Sequence, residues 1–251
     1  MHILLTGHKG YIGSHLLKRL EINHSVVGID IKNGLDEDLL TCELNEQFDL
    51  IIHLAGKSGV RQSIEDPSGY WMHNVEVSKR LFARYPNTRI IYASSSSAYE
   101  PDLNPYAASK YIIEENAERY VDTLGIRFHT VYDHNPRKGM FIQKLLDNKL
   151  EYVTNHYRDF IHIEDACDAI ELLIKSRYSG IVDVGTGHPF RIRDFAPDVP
   201  IRLNTPYERA WTCANMERMK TLGFKPKHSV EKLLTNHKID NIIKFNNGDT
   251  L

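Results

Sequence analysis

The stretch MHILLTGHKGYIGSHLLKRL, residues 1–20, sets a short apolar run directly before three glycines and an amphipathic segment. The run predicts a buried β-strand and the segment after it predicts a helix. Gly7, Gly10 and Gly13 permit a tight turn, a close approach of the main chain to a ligand, and close packing of helix on strand. A helix N-terminus after such a turn offers free N–H groups and a partial positive charge to phosphates. The stretch therefore predicts a dinucleotide site.

Further along the chain, short apolar runs alternate with longer helical patterns, which is typical of βαβ units around a parallel sheet. Further strands are predicted at 25–30, 49–56, 88–97, 124–132 and 180–187, and further helices at 70–86, 105–123, 140–149, 160–176, 216–224 and 229–243. The predicted fold class is α/β, a doubly wound parallel sheet of the Rossmann type with a small C-terminal substrate-binding lobe. We expect residues 1–131 to form the nucleotide-binding domain, with 159–187 returning to it, and 132–251 to form the lobe. No clear strand pattern is present between residues 31 and 48.

Composition excludes several classes of protein. The 251 residues carry a formal net charge of -2, which gives no electrostatic reason for a nucleic-acid partner. No apolar run approaches the roughly 20 residues that a membrane span needs, and the first strand begins at once, which leaves no room for a signal peptide. The three cysteines are scattered and show no metal-binding spacing. We expect a cytosolic protein with no bound metal and no membrane partner.

An acidic residue closes the second predicted strand. Asp30 follows Gly13 by 17 residues, and a carboxylate at this place can accept hydrogen bonds from an adenosine ribose while repelling a 2′-phosphate. The predicted cofactor is therefore NAD. Lys32, close by, leaves some binding of NADP open.

A tyrosine and a lysine four residues apart begin the helix predicted at 105–123. Tyr106 and Lys110 lie on one helical face, so an ammonium is available to lower the pKa of a phenol that ordinarily titrates near pH 10. The serine-rich segment Ser94–Ser97 ends the preceding strand and can orient a substrate hydroxyl. This pattern predicts acid–base chemistry at a carbinol or carbonyl carbon.

These motifs, with FDLIIHLAG, SGVRQSIEDPSGYWMHNV, IRFHTVY, YRDFIHIEDACDAI and LGFKP, cover nearly the whole chain. Together they resemble the extended short-chain dehydrogenase/reductases, in particular the NAD-dependent nucleotide-sugar epimerases and dehydratases. The similarity is greatest to the 4-epimerases of UDP-uronic acids. The resemblance implies an enzyme whose substrate is a nucleotide-sugar and whose cofactor is NAD.

The resemblance also implies roles for particular residues. Ser95, Tyr106 and Lys110 match the catalytic serine, the base and its lysine partner. The implied cofactor contacts are Gly7, Gly10, Tyr11, Ile12, Gly13, Asp30, Asp38, Leu39, Leu54, Ala55, Gly56, Asn74, Tyr106, Lys110 and His129. The implied substrate contacts are Arg61, Ser96, Thr130 and Arg158, of which Arg158 would hold the diphosphate. For adenine, Glu43-Leu44 is the alternative to Asp38-Leu39.

One motif departs from the dehydratases of this family. Ser96 and Ser97 replace the Asp-Glu pair with which the dehydratases remove water, so we expect 4-epimerisation through a 4-keto sugar, on a UDP-hexose or a UDP-uronate. UDP-glucuronate decarboxylation, 4-keto-sugar reduction and a non-catalytic nucleotide-binding role remain alternatives.

Two further expectations concern the substrate and the oligomeric state. Arg61 is expected to hold a uronate carboxylate or a phosphate. By analogy, the helices at Asn74–Tyr85 and Tyr106–Asp122 predict a homodimer.

Overall fold

A computed structural model describes residues 1–34, 37–233 and 235, and the statements below concern those residues. The strands are β1 (His2–Thr6), β2 (Ser25–Ile29), β3 (Leu50–His53), β4 (Arg89–Ser95), β5 (Thr123–Phe128), β6 (Thr130–Tyr132), β7 (Tyr157–His162), β8 (Gly180–Val184) and β9 (Pro189–Arg191). The α-helices are α1 (Tyr11–Leu20), α2 (Val60–Glu65), α3 (Pro67–Tyr70), α4 (Val77–Arg84), α5 (Pro105–Ala117), α6 (Phe141–Leu146), α7 (Ile163–Lys175), α8 (Ile192–Phe195) and α9 (Glu217–Thr221). A π-helical segment, Trp71–Glu76, joins α3 to α4.

The main sheet is parallel throughout, with the strand order β2-β1-β3-β4-β5-β8. The chain moves outward from β1 to β2 on one side and then to β3, β4 and β5 on the other. In such sheets, ligands bind at the carboxyl ends of the strands where the order reverses. The predicted doubly wound sheet is confirmed, and its crevice lies at the ends of β1 and β3.

Both faces of the sheet are covered by helices, which explains why its strands are almost entirely apolar. Alternate residues of β1 enter different cores: Ile3 packs with α1 and α7, whereas Leu4 packs with α4 and α5. Buried strands of this kind place their side chains in two cores and leave polar functional groups only at their ends. The functional residues are therefore expected at strand ends and on the loops after them.

A smaller sheet of order β6-β7-β9 lies beyond the main sheet and has its own apolar core, which includes Tyr132, Phe160 and Ile192. Between β7 and β9 of this sheet, the chain forms α7, which packs on α1, and β8, which pairs with β5. We propose that the nucleotide-binding domain extends to about residue 131 and that the chain returns to it for α7 and β8. Residues 159–162, which we expected in the returning segment, belong to β7 of the smaller sheet.

The structure differs from the sequence prediction at several boundaries. The single strand predicted at 124–132 divides at His129, so that β5 lies in the main sheet and β6 in the smaller one. The helix at 105–123 ends at Ala117, because Thr123 already pairs in β5. Between 31 and 48, the described residues form a short 3₁₀-helix and turns but no strand, so β2 is the edge of the sheet. Most of the helix predicted at 229–243 lies outside the described residues.

Within 1–34, 37–233 and 235, no helix is both long enough and apolar enough to cross a bilayer.

Candidate active site

The glycine-rich turn between β1 and α1 is packed too closely for side chains. Gly7 has a φ of +74°, and a Cβ at this position would lie 2.6 Å from the main-chain nitrogen of Ala55. A Cβ on Gly13 would lie 2.1 Å from the Gly7 carbonyl oxygen. Gly10 is the N-cap of α1 and makes no side-chain capping bond. The first N–H groups of α1 are therefore oriented toward the crevice, where a diphosphate fits.

The two residues after Gly10 have different surroundings. Ile12 packs against the core between α1 and α7, whereas the Tyr11 hydroxyl is buried and has no hydrogen-bond partner within the described residues. Burial and the nearby Asp133 carboxylate raise the pKa of Tyr11, so it remains a phenol. An unsatisfied hydroxyl beside the turn is available to a ligand.

Asp30 lies at the end of β2 beside the turn. Its carboxylate accepts hydrogen bonds from the main-chain nitrogens of Lys9, at 2.9 Å, and Lys32, at 3.0 Å. The Lys32 ammonium donates to the Lys9 carbonyl oxygen at 2.9 Å. Asp30 thus fixes the turn, and each carboxylate oxygen keeps acceptor capacity for a ribose hydroxyl.

The residues expected at the adenine lie on the irregular segment after β2. Leu39 is buried in the core beside Leu81, so its side chain packs in the protein, and only its main chain is available to a base. The Asp38 carboxylate accepts a hydrogen bond from the Leu40 nitrogen at 3.0 Å. The adenine contact of Asp38 stays a prediction.

The main chain after β3 lies beneath the crevice. The nitrogens of Leu54 and Ala55 donate to the carbonyl and hydroxyl oxygens of Thr6, at 3.1 and 3.3 Å. Gly56 has a φ of +153°, and a Cβ there would lie 2.9 Å from the side-chain oxygen of Asn74. That oxygen accepts from the Lys57 nitrogen at 2.7 Å. Asn74 therefore holds this segment in place, and its own contact with the cofactor stays a prediction.

Ser95, Tyr106 and Lys110 come together at the carboxyl end of the sheet. Ser95 ends β4, and Tyr106 and Lys110 lie on the first turns of α5, whose N-cap is Asn104. The Lys110 ammonium donates to the Ala93 carbonyl oxygen at 2.7 Å. Sequence reasoning thus identified three side chains that the fold places in one crevice.

The charges at this site differ from expectation. Burial raises the pKa of Tyr106, while a hydrogen bond with Ser95 and the positive charge of Arg137 lower it. Burial lowers the pKa of Lys110 to about 8, against the opposing effect of Glu114. The Arg137 guanidinium is therefore a cation that favours the Tyr106 phenolate, and the effect of Lys110 on Tyr106 stays a prediction.

Arg137 is the functional candidate that sequence reasoning missed. It lies on the exposed loop after β6 and donates to the Ser58 hydroxyl at 2.7 Å. In the sequence, the signal for this residue was a basic loop directly after the strand β6. Only the fold shows that this loop turns toward Tyr106.

His129 and Thr130 stand where β5 passes into β6. The His129 side chain is fully buried, with its Nε2 atom 3.5 Å from a carboxylate oxygen of Asp183. Tyr99 donates to the same carboxylate at 3.0 Å. Thr130 opens β6, where it pairs with Phe160. The contacts of His129 with the nicotinamide and of Thr130 with substrate stay predictions.

The basic residues expected at the substrate face one carboxylate. Glu208 lies 3.1 Å from Arg61 and 3.7 Å from Arg158. The Arg61 side chain is 55% exposed and pairs with Glu208, and its contact with a substrate anion stays a prediction. Arg158 is mostly buried in β7, and burial lowers its pKa. Its guanidinium remains suited to a diphosphate.

Ser96, also expected at the substrate, begins the 3₁₀-turn after β4. Its carbonyl oxygen accepts from Arg209 at 2.6 Å, and Arg209 also binds the Glu100 carboxylate at 2.7 Å. The small lobe therefore reaches the catalytic edge through Arg209. Across the described ranges, no group of three or more His, Cys, Asp or Glu residues could hold a metal ion.

Comparison with known proteins gives the family. Residues 3–185 match the model of the NAD dependent epimerase/dehydratase family, which is more than half of the chain. The chain belongs to this family.

Family members of known sequence and structure are similar along most of their length. Protein CapI of Staphylococcus aureus is 30% identical over 81% of this chain and 80% of its own. A probable UDP-glucuronate 4-epimerase of Rhizobium meliloti is 26% identical over 92% of this chain and 94% of its own. The structure of MoeE5 in complex with UDP-glucuronic acid and NAD is 26% identical, with a TM-score of 0.78 over 94% of this chain and 97% of that one. The predicted resemblance and the NAD cofactor are confirmed.

Family membership agrees with the local geometry of the cofactor site. The uncapped N-terminus of α1, the glycine turn and Asp30 supply the donors and acceptors that a dinucleotide needs. We propose that Gly7, Gly10, Tyr11, Gly13 and the main chain of Ile12 surround the diphosphate.

Asp30 is predicted to set the preference for NAD over NADP. Asp30→Asn keeps one oxygen for the Lys9 nitrogen but removes the negative charge that repels a 2′-phosphate. We expect NAD binding to weaken by about 1–3 kcal/mol and the ratio of NADP to NAD affinity to rise. Isothermal titration of both nucleotides into cofactor-free protein measures this. An unchanged ratio in Asp30→Asn would show that Lys32 decides the preference.

Proposed function

We propose that this protein is a nucleotide-sugar 4-epimerase that acts through a transient 4-keto sugar. The observation that carries the proposal is that the side chains of Ser95 and Tyr106 lie close together, next to Lys110, at the edge of the sheet that binds the dinucleotide. The named similarities to 4-epimerases support it.

The residues of the crevice divide the work. The Tyr106 oxygen takes the proton of the sugar 4-hydroxyl and later returns it, while the Ser95 hydroxyl orients that oxygen. Bound in the crevice, NAD would supply reversible hydride transfer at the sugar carbon. Arg158 holds the diphosphate from the small lobe, so the sugar can turn over without leaving.

This chain lacks the acid and the base with which a dehydratase removes water. Ser96 and Ser97 follow Ser95, and the next carboxylate along the chain, Glu100, is ion-paired with Arg209 at 2.7 Å. Net reduction would require the cofactor to exchange at each turnover, so a reductase should be purified without stoichiometric NAD. Protein that retains NAD through purification favours epimerisation.

For the substrate we propose a UDP-uronate whose carboxylate is held by Arg137. Arg137 is a cation whose charge favours the Tyr106 phenolate, whereas Arg61 is paired with Glu208 and stacks over Tyr152. The similar probable UDP-glucuronate 4-epimerase supports this choice, as does the structure of MoeE5 in complex with UDP-glucuronic acid.

We also propose a homodimer that pairs the Trp71–Glu76 segment, α4 and α5 with their copies. Trp71, Met72 and Tyr111 are exposed on these elements, at 42%, 43% and 36%. Ala117, which we expected in the interface, is buried in the core instead. A reducing, cytosolic setting is proposed because the three cysteines are free.

Tyr106→Phe is expected to remove turnover and keep NAD bound, because it deletes the proton acceptor without altering the glycine turn. The loss in kcat should be about 100- to 10,000-fold. Epimerisation of UDP-sugars and mass spectrometry of the retained nucleotide measure the two effects. Tyr111→Phe, on the exposed side of the same helix, is the control. A Tyr106→Phe variant with near wild-type kcat would end the mechanism.

Arg137→Gln is expected to affect a uronate in two separable ways. Losing a charge-assisted pair should lower kcat/KM for UDP-glucuronate by roughly 10- to 150-fold. Because the arginine lowers the pKa of Tyr106, its removal raises that pKa and shifts the rising limb of the rate–pH profile to higher pH. For UDP-glucose, the decrease in kcat/KM should therefore disappear at high pH. For UDP-glucuronate, the decrease should persist, because the charge-assisted pair is lost at every pH.

Arg61→Gln is the matched control for this experiment. We expect a small effect on both substrates, since the side chain is exposed and paired with Glu208. If Arg61→Gln instead reduces only the uronate reaction and Arg137→Gln does not, the carboxylate is held by Arg61.

Light scattering at micromolar concentration is expected to give the mass of two chains. Tyr111→Glu should shift this mass toward one chain, because it introduces a charge into the apolar interface. A wild-type protein with the mass of a single chain would contradict the dimer.

A further inference from the structure

A continuous hydrogen-bonded chain of buried polar groups crosses the main sheet beneath the crevice. The Thr6 hydroxyl lies 2.7 Å from Nδ1 of His53, and Nε2 of His53 lies 3.0 Å from the Ser78 hydroxyl. The Ser78 hydroxyl donates to the main-chain carbonyl oxygen of Asn74 at 2.6 Å. All four residues are at most 3% exposed. The chain joins the ends of β1 and β3 to α4 and the segment before it.

The direction of every hydrogen bond in this chain is fixed. Ser78 has a single proton and gives it to Asn74, so Nε2 of His53 must be the donor to Ser78. Nδ1 of His53 is then unprotonated and accepts from Thr6. Burial and the charge of Lys110 lower the pKa of His53 to about 3, so the imidazole stays neutral. Only one tautomer satisfies both neighbours.

The side-chain amide of Asn74 connects these hydrogen bonds to the catalytic helix α5. The Asn74 amide donates to the Lys57 carbonyl oxygen at 3.1 Å and to the Ser109 hydroxyl at 2.9 Å. Ser109 in turn donates to the Tyr106 carbonyl oxygen at 2.8 Å. The first turn of α5 is thereby connected to the same main-chain segment that passes beneath the cofactor.

The near end reaches the glycine turn. Thr6 precedes Gly7 directly, and its hydroxyl accepts from the Ala55 nitrogen at 3.3 Å. A Cβ on Gly56, the next residue, would lie 3.7 Å from the Lys110 ammonium. The segment Leu54–Lys57 is therefore held by Thr6 on one side and by Asn74 on the other, close to the catalytic lysine.

We propose that His53, held as its neutral Nε2–H tautomer, is a positioning residue that sets the cofactor-facing segment Leu54–Lys57 against the Tyr106–Lys110 turn. It acts through Thr6 and through Ser78 with Asn74, and it does not touch the reacting atoms. Its effect on turnover rests on the proposed epimerase function, whereas its effect on NAD binding does not.

Nuclear magnetic resonance of imidazole nitrogens tests the tautomer in the wild-type protein. From pH 5 to 9, His53 should show a protonated Nε2, an unprotonated Nδ1 and no titration. A proton on Nδ1, or a titration in this range, would overturn the proposal without any variant.

Substitutions at His53 test the positioning itself. His53→Phe keeps the volume but removes the acceptor of the Thr6 hydroxyl proton and the donor to the Ser78 hydroxyl. We expect the dissociation constant of NAD to rise about tenfold or more and kcat to fall, with KM for the nucleotide-sugar nearly unchanged. His53→Gln can still donate to Ser78 and His53→Asn can still accept from Thr6, so each should regain part of the loss. These two variants also replace His53→Phe if it does not fold.

Tyr92→Phe is the control, since Tyr92 is His53's register neighbour in β4, is 2% exposed and lies outside the hydrogen-bonded chain. It should keep NAD affinity and kcat. If His53→Phe lowers only the melting temperature and leaves both values within about twofold of wild type, His53 is a packing residue and the proposal fails. NAD titration decides this even if the wild-type protein epimerises no sugar in the panel.

Discussion

The carbonyl oxygen of Gly7 faces the α-carbon of Gly13 so closely that a Cβ at position 13 would lie 2.1 Å away. This contact lets α1 begin directly above the end of β1, with its first N–H groups oriented toward the crevice. The same turn touches the main chain after β3, since a Cβ on Gly7 would lie 2.6 Å from the Ala55 nitrogen. The order of β2, β1 and β3 at the switch in the sheet brings these pieces together. Cofactor binding and catalytic geometry both depend on this close packing.

The small lobe closes the site through a short segment. The Tyr207 carbonyl oxygen accepts from Asn104, whose own oxygen caps α5 at the Ala107 nitrogen. Arg209 binds the Ser96 carbonyl oxygen two residues further on. Contacts from the lobe thus end on the N-cap of the catalytic helix and on the turn after Ser95. The lobe is thereby coupled to the strand end that carries Ser95 and to the helix that carries Tyr106.

The segment 37–48, which follows β2, forms no strand, and the carbonyl oxygens that a strand would pair find other hydrogen-bond donors. Carbonyl oxygens of residues 40, 42 and 44, which a neighbouring strand would pair, accept instead from guanidinium groups. Arg80 donates to Leu40 and Cys42, and Arg84 donates to Leu44 at 3.0 Å. Buried or half-buried carbonyls need partners of some kind, and long side chains on α4 supply them. The segment 37–48 therefore packs on α4 without extending the sheet.

The amino-acid sequence by itself determined the doubly wound sheet, the glycine turn, Asp30 and the Ser95–Tyr106–Lys110 group. The strands and helices, the glycine turn and the Tyr106–Lys110 pair depend on local periodicity and on spacings within one element, which the order of residues contains, whereas the place of Ser95 beside them followed from the family resemblance. Tertiary structure alone decided that Glu208 engages Arg61, that Arg137 acts on Tyr106, and that strand 124–132 divides between two sheets. It also decided the tautomer of His53, because Thr6, His53 and Ser78 are far apart in the chain. Such contacts join segments separated by tens to more than a hundred residues, and no local pattern specifies which of several similar side chains meet.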